Sequence, residues 1–331
     1  MQQNMLDIQD LTIEFKTENG FFPAVNDINL SIKQGEIMCI VGESGSGKTI
    51  TSLSIMQILP SIANVSSGEI WFKDQNILNL NKKEMAGIRG NAVSMIFQDA
   101  MSSLDPLFTC GHQIVETIRT HKKDVTKEQA LEKTKELLRK VGIAHPDTIV
   151  NAYPYELSGG MCQRVMIAMA LSCDPKLLIA DEPTTALDVT VQSQILKLLK
   201  QIRTDFNTSI MFITHDLGVV AEIADRVAVM YAGRIVEEGD VKSIFNNPQH
   251  PYTEGLLKSI PKLNEKSERF YSIKGSVPSI TEMPVGCKFN PRCSKAFTDC
   301  FKEEPPTFNV EKNQKVRCWL MDDERVSGSE Q

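Results

Sequence analysis

The chain has 331 residues, 36 basic and 42 acidic side chains, a net charge of −6, and 41 % hydrophobic against 24 % charged residues. That length exceeds what one core usually needs and leaves room for a large α/β domain with an appendix. The acidic balance excludes a general nucleic-acid binder, and no run approaches the roughly 20 apolar residues of a membrane-crossing helix.

The start of the chain, from Met1 to Asp10, is polar and lacks the basic-then-apolar layout of a secretory signal, so a cytosolic location is expected. Residues 6–16 alternate apolar and polar side chains (Leu6, Ile8, Leu11, Ile13, Phe15), as in a half-buried strand. After a turn around Glu18–Gly20, residues 25–33 repeat the pattern with Val25, Ile28, Leu30 and Ile32. Residues 36–41 form a nearly continuous apolar run, the pattern of a strand buried on both faces, and a glycine-rich loop and a helix follow it. Residues 93–98 read as another strand, 111–143 as a charged helical insertion and 161–172 as an apolar helix. Residues 177–180 predict a short buried strand, 190–203 a helix and 209–214 a further strand. Residues 227–231 and 234–238 flank Ala232–Gly233 as a hairpin. Strands alternating with helices imply a mostly parallel, helix-covered sheet. After about residue 245 prolines recur and periodicity is lost, which places a domain boundary near residue 240. The polar segment Asp322–Gln331 is expected to be disordered.

Gly42-Glu43-Ser44-Gly45-Ser46-Gly47-Lys48-Thr49 fits the phosphate-loop pattern G-x-x-x-x-G-K-[ST] and stands between an apolar strand and a helix. Glycines let backbone N–H groups curl around phosphate oxygens, and the helix that follows points its positive end at them. In this reading Lys48 neutralises the β- and γ-phosphates of ATP and the Thr49 hydroxyl ligates Mg²⁺. The apolar run Leu177–Ala180 ends in Asp181 and Glu182, so Asp181 is expected to hold Mg²⁺ and Glu182 to polarise the attacking water. Taken alone, that segment reads equally well as a strand ending in a solvated acidic turn.

Leu157-Ser158-Gly159-Gly160-Met161, followed by Cys162, Gln163 and Arg164, resembles the signature of the ATP-binding cassette (ABC) family. The resemblance implies a P-loop NTPase (RecA-like) core with an antiparallel β subdomain and a helical subdomain at about residues 100–172. These would occupy residues 1–240, with a small Cys-rich C-terminal extension over 241–331. It further implies that Leu157–Met161 meet ATP held by an opposite subunit. Gln98 resembles the glutamine that touches Mg²⁺ and water, and His215 the histidine that holds the γ-phosphate. Thr185-Ala186-Leu187-Asp188 resembles the loop that crosses the dimer interface, with Asp188 as its acid. Glu182, His215 and Gln98 are thus the catalytic candidates. An aromatic ring upstream of the phosphate loop is expected to stack on adenine; Phe15, Phe21 and Phe22 are candidates, with Phe15 favoured.

Phe97-Gln98-Asp99-Ala100 through Leu104-Asp105-Pro106, and Asn247-Pro248-Gln249-His250-Pro251-Tyr252-Thr253, resemble the peptide/nickel importer branch and its "D"-type subunit. Cys162 stands where that branch often has arginine, which puts any salt bridge from this position in doubt. The resemblance implies ATP-powered import of di- or oligopeptides. Its partners would be a second, "F"-type ATPase, two transmembrane permease subunits and an extracytoplasmic peptide-binding protein, with this chain peripheral on the cytoplasmic face of the membrane. Import of nickel or another small solute, a soluble ABC mechanoenzyme, and an iron–sulfur regulator with a vestigial nucleotide site are the alternatives. The intact Lys48, Asp181, Glu182 and His215 argue against the last. Cys287, Cys293, Cys300 and Cys318 resemble a tail that carries a 4Fe–4S cluster in some "D" subunits. Their spacing alone leaves an iron–sulfur cluster, zinc or no metal open.

Overall fold

Residues 4–185, 187–260, 271–310 and 313–328 are described in the computed structural model, and each of its two units draws on distant parts of the sequence. One holds the described residues of Met1–Leu6, Ser31–Ile37 and Trp71–Ile213; the other holds those of Asp7–Leu30, Met38–Ile70 and Thr214–Gln331.

In the first unit the strands Val93–Ile96, Leu177–Asp181 and Ser209–Thr214 lie side by side and parallel, in register at Val93↔Leu177 and Leu177↔Ser209. Every residue in them is buried, which is why they read as apolar runs and not as alternating ones. The helical insertion is two helices, Cys110–His121 and Lys127–Lys140. Thr126 restarts the second through a capping box with Gln129. Asp174, in the turn after the helix Gly159–Leu171, accepts Lys122 at 2.7 Å and Lys133 at 2.9 Å, so one carboxylate joins the end of one helix to the middle of the next.

In the second unit the strands Gly20–Lys33, Asn4–Thr17 and Ala63–Phe72 are neighbours in that order. Ile37–Val41 pairs in parallel with Arg226–Tyr231, at Met38↔Arg226, and the latter turns back into Arg234–Asp240. The turn has Ala232 at φ 46° and Gly233 at φ 78°, the left-handed pair that a tight hairpin needs to match strand twist. Against the free side of Arg234–Asp240 lies Lys315–Val316, paired at Glu237↔Val316, and then Phe308–Asn309. These strands of two residues show no periodicity, so the sequence gives no sign of them. The expected disorder of Asp322–Gln331 is corrected over Asp323–Gly328, which is helical. Arg325 in that helix pairs with Glu303 and lies 3.9 Å from the centroid of the Trp319 ring. Among the described residues no helix is long and apolar enough to cross a membrane.

Glu237 joins the hairpin to the segments beyond it. Its buried carboxylate accepts the Gln249 N–H at 2.8 Å, the His250 N–H at 3.0 Å and Gln314 Nε2 at 2.7 Å. The helix Pro251–Lys258 starts there, with His250 Nδ1 accepting the Tyr252 N–H at 3.0 Å. Burial pushes the His250 imidazole down to about 3, so it stays neutral and keeps the cap.

The unfolded chain binds this proton near pH 6.5, whereas the folded chain resists it down to about 3. Acidification through that window therefore favours the unfolded state, by about 1.4 kcal/mol per pH unit at most from this residue. His250→Gln should flatten the decline of the urea midpoint with falling pH. Parallel curves for variant and wild type would refute the assignment.

Candidate functional site

The phosphate loop leaves the strand Ile37–Val41 through Gly42 at φ 155°. A Cβ there would stand 2.2 Å from the Met230 carbonyl oxygen, so only glycine lets the loop pass this close to the neighbouring strand. The Gly233 N–H donates to the Ser46 carbonyl at 3.0 Å and fixes the loop's far side. Gly47 precedes the helix Lys48–Ile55, as the motif requires. Lys48 is 6 % exposed. Its Nζ donates to the Gly42 carbonyl at 2.8 Å and the Glu43 carbonyl at 3.0 Å, with Ser46 Oγ at 3.4 Å. Ser44, Gly45 and Thr49 are exposed.

The second unit also holds Phe15, half-buried, and His215, exposed at the end of Ser209–Thr214. Asp216 caps the next helix, Leu217–Ile223, accepting the Gly218 N–H at 2.8 Å. Phe21 is 58 % exposed and Phe22 half-buried.

The first unit carries the acidic end. Asp181 is buried at the last position of its strand. Glu182 sits at φ 47°, an uncommon conformation for a side chain of this size. Its Oε2 accepts Gln98 Nε2 at 3.1 Å and the Thr185 hydroxyl at 2.9 Å. The structure thus brings Glu182 and Gln98, two of the catalytic candidates, into direct contact. Ser158 caps the helix Gly159–Leu171 through its Oγ and the Met161 N–H, at 3.4 Å. Ser158 and Gly159 are exposed, while Leu157, Gly160 and Met161 are half-buried. From the same helix Gln163 Nε2 donates to the Pro183 carbonyl at 2.7 Å, linking the signature segment to the acidic turn. Cys162 is buried and directs its thiol at the Pro154 carbonyl, 3.4 Å away, in place of an ion pair. Asp188 caps the helix Val189–Phe206 through the Val191 N–H at 2.9 Å; Ala186 of the expected interface loop lies outside the described residues.

All eight cysteines are free thiols. Burial, and then the neighbouring Cys300 and Cys293, push the Cys287 thiol up to about 11; burial with Cys287, Cys293 and Cys300 pushes Cys318 up to about 12. Among the described residues, however, no group of three or more His, Cys, Asp or Glu side chains is placed to hold a metal ion. The expected 4Fe–4S or zinc site finds no support in this geometry.

Two residues touching the phosphate loop escaped sequence reasoning. Tyr252 accepts the Glu43 N–H on its hydroxyl at 2.9 Å, and Arg292 meets the Glu43 carboxylate at 2.8 and 3.1 Å. Tyr252 stood out only as part of a family marker, and no local signal pairs residues this far apart in the chain.

The family described as "ABC transporter" matches residues 25–185, and the one described as "Oligopeptide/dipeptide transporter, C-terminal region" matches residues 236–300. The oligopeptide transport ATP-binding protein AppD of Bacillus subtilis is 48 % identical over 328 residues, covering 99 % of each chain. OppD of the same organism, also an oligopeptide transport ATP-binding protein, is 50 % identical over 96 % of this chain and 89 % of its own. The dipeptide transport ATP-binding protein DppD of Lactococcus lactis is 46 % identical over 97 % of this chain and 92 % of its own. Among solved structures, the ATP-binding cassette MJ0796 bound to ADP and Pi, in a dimeric post-hydrolysis state, aligns with a TM-score of 0.66 at 27 % identity. It covers 72 % of this chain and 99 % of MJ0796.

The close approach at Gly42 sets a graded expectation. Gly42→Ala should lower stability by about 2–3 kcal/mol, through backbone strain plus the collision with Met230, and abolish ATP binding. Gly45, at φ 79° with nothing within 4 Å of a Cβ, should lose only about 1 kcal/mol on the same change. Thermal melts with and without ATP read both effects; equal losses at the two positions would show that the approach to Met230 is unimportant.

Proposed function

Because this chain belongs to the ABC transporter family, among its oligopeptide and dipeptide transport ATP-binding proteins, we propose that it is the subunit that hydrolyses ATP to power peptide import. The observation that carries this reading is the identity of 48 % along 99 % of both chains with an oligopeptide transport ATP-binding protein. The match of residues 236–300 to the C-terminal region of oligopeptide/dipeptide transporters supports it independently of the nucleotide motifs. Nothing observed favours nickel import, a soluble mechanoenzyme or a vestigial nucleotide site.

Hydrolysis of ATP needs positioning and charge neutralisation more than covalent help. The phosphate loop 42–49 and its helix cradle the phosphates, and Lys48 supplies positive charge to them. Thr49, Gln98 and Asp181 offer the oxygen donors that a hard cation takes and would hold Mg²⁺, which when bound offsets phosphate charge. Glu182 takes the proton of the attacking water; Gln98 and Thr185 hold its carboxylate in one orientation. His215 contacts the γ-phosphate. Leu157–Met161 present a capped helix start to ATP on the opposite subunit, where backbone N–H groups suit an anion, and Asp188 faces that interface. Phe15 stacks on adenine.

In this reading residues 1–240 are the ATPase domain, with a helical subdomain at about 100–172, and residues 241–331 are an extension specific to this branch. The chain works peripherally on the cytoplasmic face of the membrane. It pairs with an "F"-type ATPase, docks on two permease subunits and receives peptide through an extracytoplasmic binding protein. For the tail we propose a 4Fe–4S cluster on Cys287, Cys293, Cys300 and Cys318. Its support is the donor chemistry alone, four cysteine thiols being the set that such a cluster takes; no group of three or more ligand side chains is placed for it among the described residues. No step of hydrolysis runs through that cluster.

Glu182→Gln should lower phosphate release by about 10²–10⁴-fold, the usual contribution of a general base, while ATP still binds and holds the dimer closed. Reconstituted with its permease and binding protein, the variant should also stop peptide uptake. Hydrolysis at the wild-type rate would remove Glu182 from its role, and wild-type hydrolysis without peptide uptake would remove peptide import. For the tail, anaerobic purification followed by iron and zinc assays should find iron with a broad visible absorption band. Zinc or no metal would dismiss the cluster and leave the ATPase reading intact.

A further inference from the structure

Glu43 occupies the second position of the phosphate loop, and three groups converge on it. Its carbonyl accepts Lys48 Nζ at 3.0 Å. Its N–H donates to the hydroxyl of the fully buried Tyr252 at 2.9 Å. Its carboxylate receives both terminal nitrogens of Arg292, Nη1 at 2.8 Å and Nη2 at 3.1 Å.

Arg292 is itself held firmly. Its side chain is only 6 % exposed. Nε donates to the Lys274 carbonyl at 2.9 Å, Nη1 also reaches the Tyr231 hydroxyl at 3.4 Å, and Nη2 also reaches the carbonyls of Ile273 and Gly275 at 3.3 and 3.2 Å. Its guanidinium carbon lies 5.7 Å from the centroid of the Tyr231 ring and 5.9 Å from that of Phe289. The turn Asn290–Arg292 is pinned by Asn290 Nδ2, which donates to the carbonyls of Val285 and Cys300 at 2.8 and 2.9 Å.

We propose that Arg292, together with Tyr252, is a positioning residue for ATP: by fixing Glu43 from both its backbone and its side chain, it sets the path of the phosphate loop and the place of the Lys48 ammonium. A part-buried ion pair adds little net stability, because desolvation offsets the attraction. A bidentate fork, by contrast, fixes distance and angle. Any displacement of Glu43 moves the carbonyl that Lys48 holds. The residues that follow residue 240 thus complete the nucleotide site through Glu43. The proposal rests on the ATPase reading above.

The test measures ATP affinity of the purified full chain beside its melting temperature. Arg292→Ala should weaken ATP binding by about 10-fold, as expected for losing a charge-assisted hydrogen-bonded pair, and Arg292→Lys should restore only part of it. The double variant Arg292→Ala with Glu43→Ala should bind no more weakly than the poorer single variant, since both remove the same support. Tyr252→Phe removes one oxygen and keeps the ring, so it reports on the hold on Glu43 from its backbone side even where Arg292→Ala fails to fold; its ATP affinity should fall by several-fold. A lowered melting temperature with unchanged ATP affinity, in Arg292→Ala or in Tyr252→Phe, would make these residues packing elements and overturn the proposal, as would additive losses in the double variant. A wild-type chain that binds no ATP would instead bring down the ATPase reading, and the proposal with it.

Discussion

The phosphate loop follows its path because nothing stands between Gly42 and the Met230 carbonyl oxygen. The loop's other fixed points depend on that approach. The Gly233 N–H reaches the Ser46 carbonyl at 3.0 Å, and the Gly233 carbonyl accepts the Asn26 N–H at 2.9 Å. One hairpin turn thereby joins the loop to the strand Gly20–Lys33. The buried ammonium of Lys48 can stay inside the loop because loop carbonyls surround it, which offsets the loss of water around a charge.

The acidic end in the other unit is built differently. The Glu182 backbone is strained at φ 47°, and strain of this kind persists only where the surroundings over-determine it. Here the Glu182 N–H donates to the Ile213 carbonyl at 2.9 Å, while Gln98 and Thr185 fix the carboxylate. Gln163 adds a brace from the signature helix to Pro183. A change at the signature segment therefore has a short physical route to Glu182.

The residues after Asp240 are bonded into the second unit. Glu237 collects two backbone N–H groups and an amide from segments that the chain reaches only later, and a buried carboxylate left without those donors would be strongly destabilising. Its hold on Gln249 and His250 aims the helix that carries Tyr252. The aromatic packing of Tyr231, Tyr252 and Phe289, with ring centroids 4.7 to 5.3 Å apart, then closes around Arg292. The Asn247–Thr253 segment marks a family in sequence, and in the structure it is the joint between the hairpin and the helix Pro251–Lys258.

Much of this was legible beforehand. The motif at 42–49, the acidic pair Asp181–Glu182 and the signature at 157–161 are local patterns whose chemistry depends on residue type and spacing, and buried parallel strands announce themselves as apolar runs. The hairpin at Ala232–Gly233 was equally plain, because its turn needs left-handed residues. The strand Ala63–Phe72 was missed, being mostly polar and exposed along its first half, and the strands at 308–309 and 315–316 are too short to carry a period. The helix Asp323–Gly328 was misread because polar composition hides a segment held by Arg325 against Trp319 and Glu303. The sequence by itself determined the nucleotide chemistry and the family, since those reside in contiguous motifs. Only the tertiary structure decided that Glu43 is gripped by Tyr252 and Arg292, because a contact between residues more than 200 positions apart leaves no periodicity, spacing or composition to read.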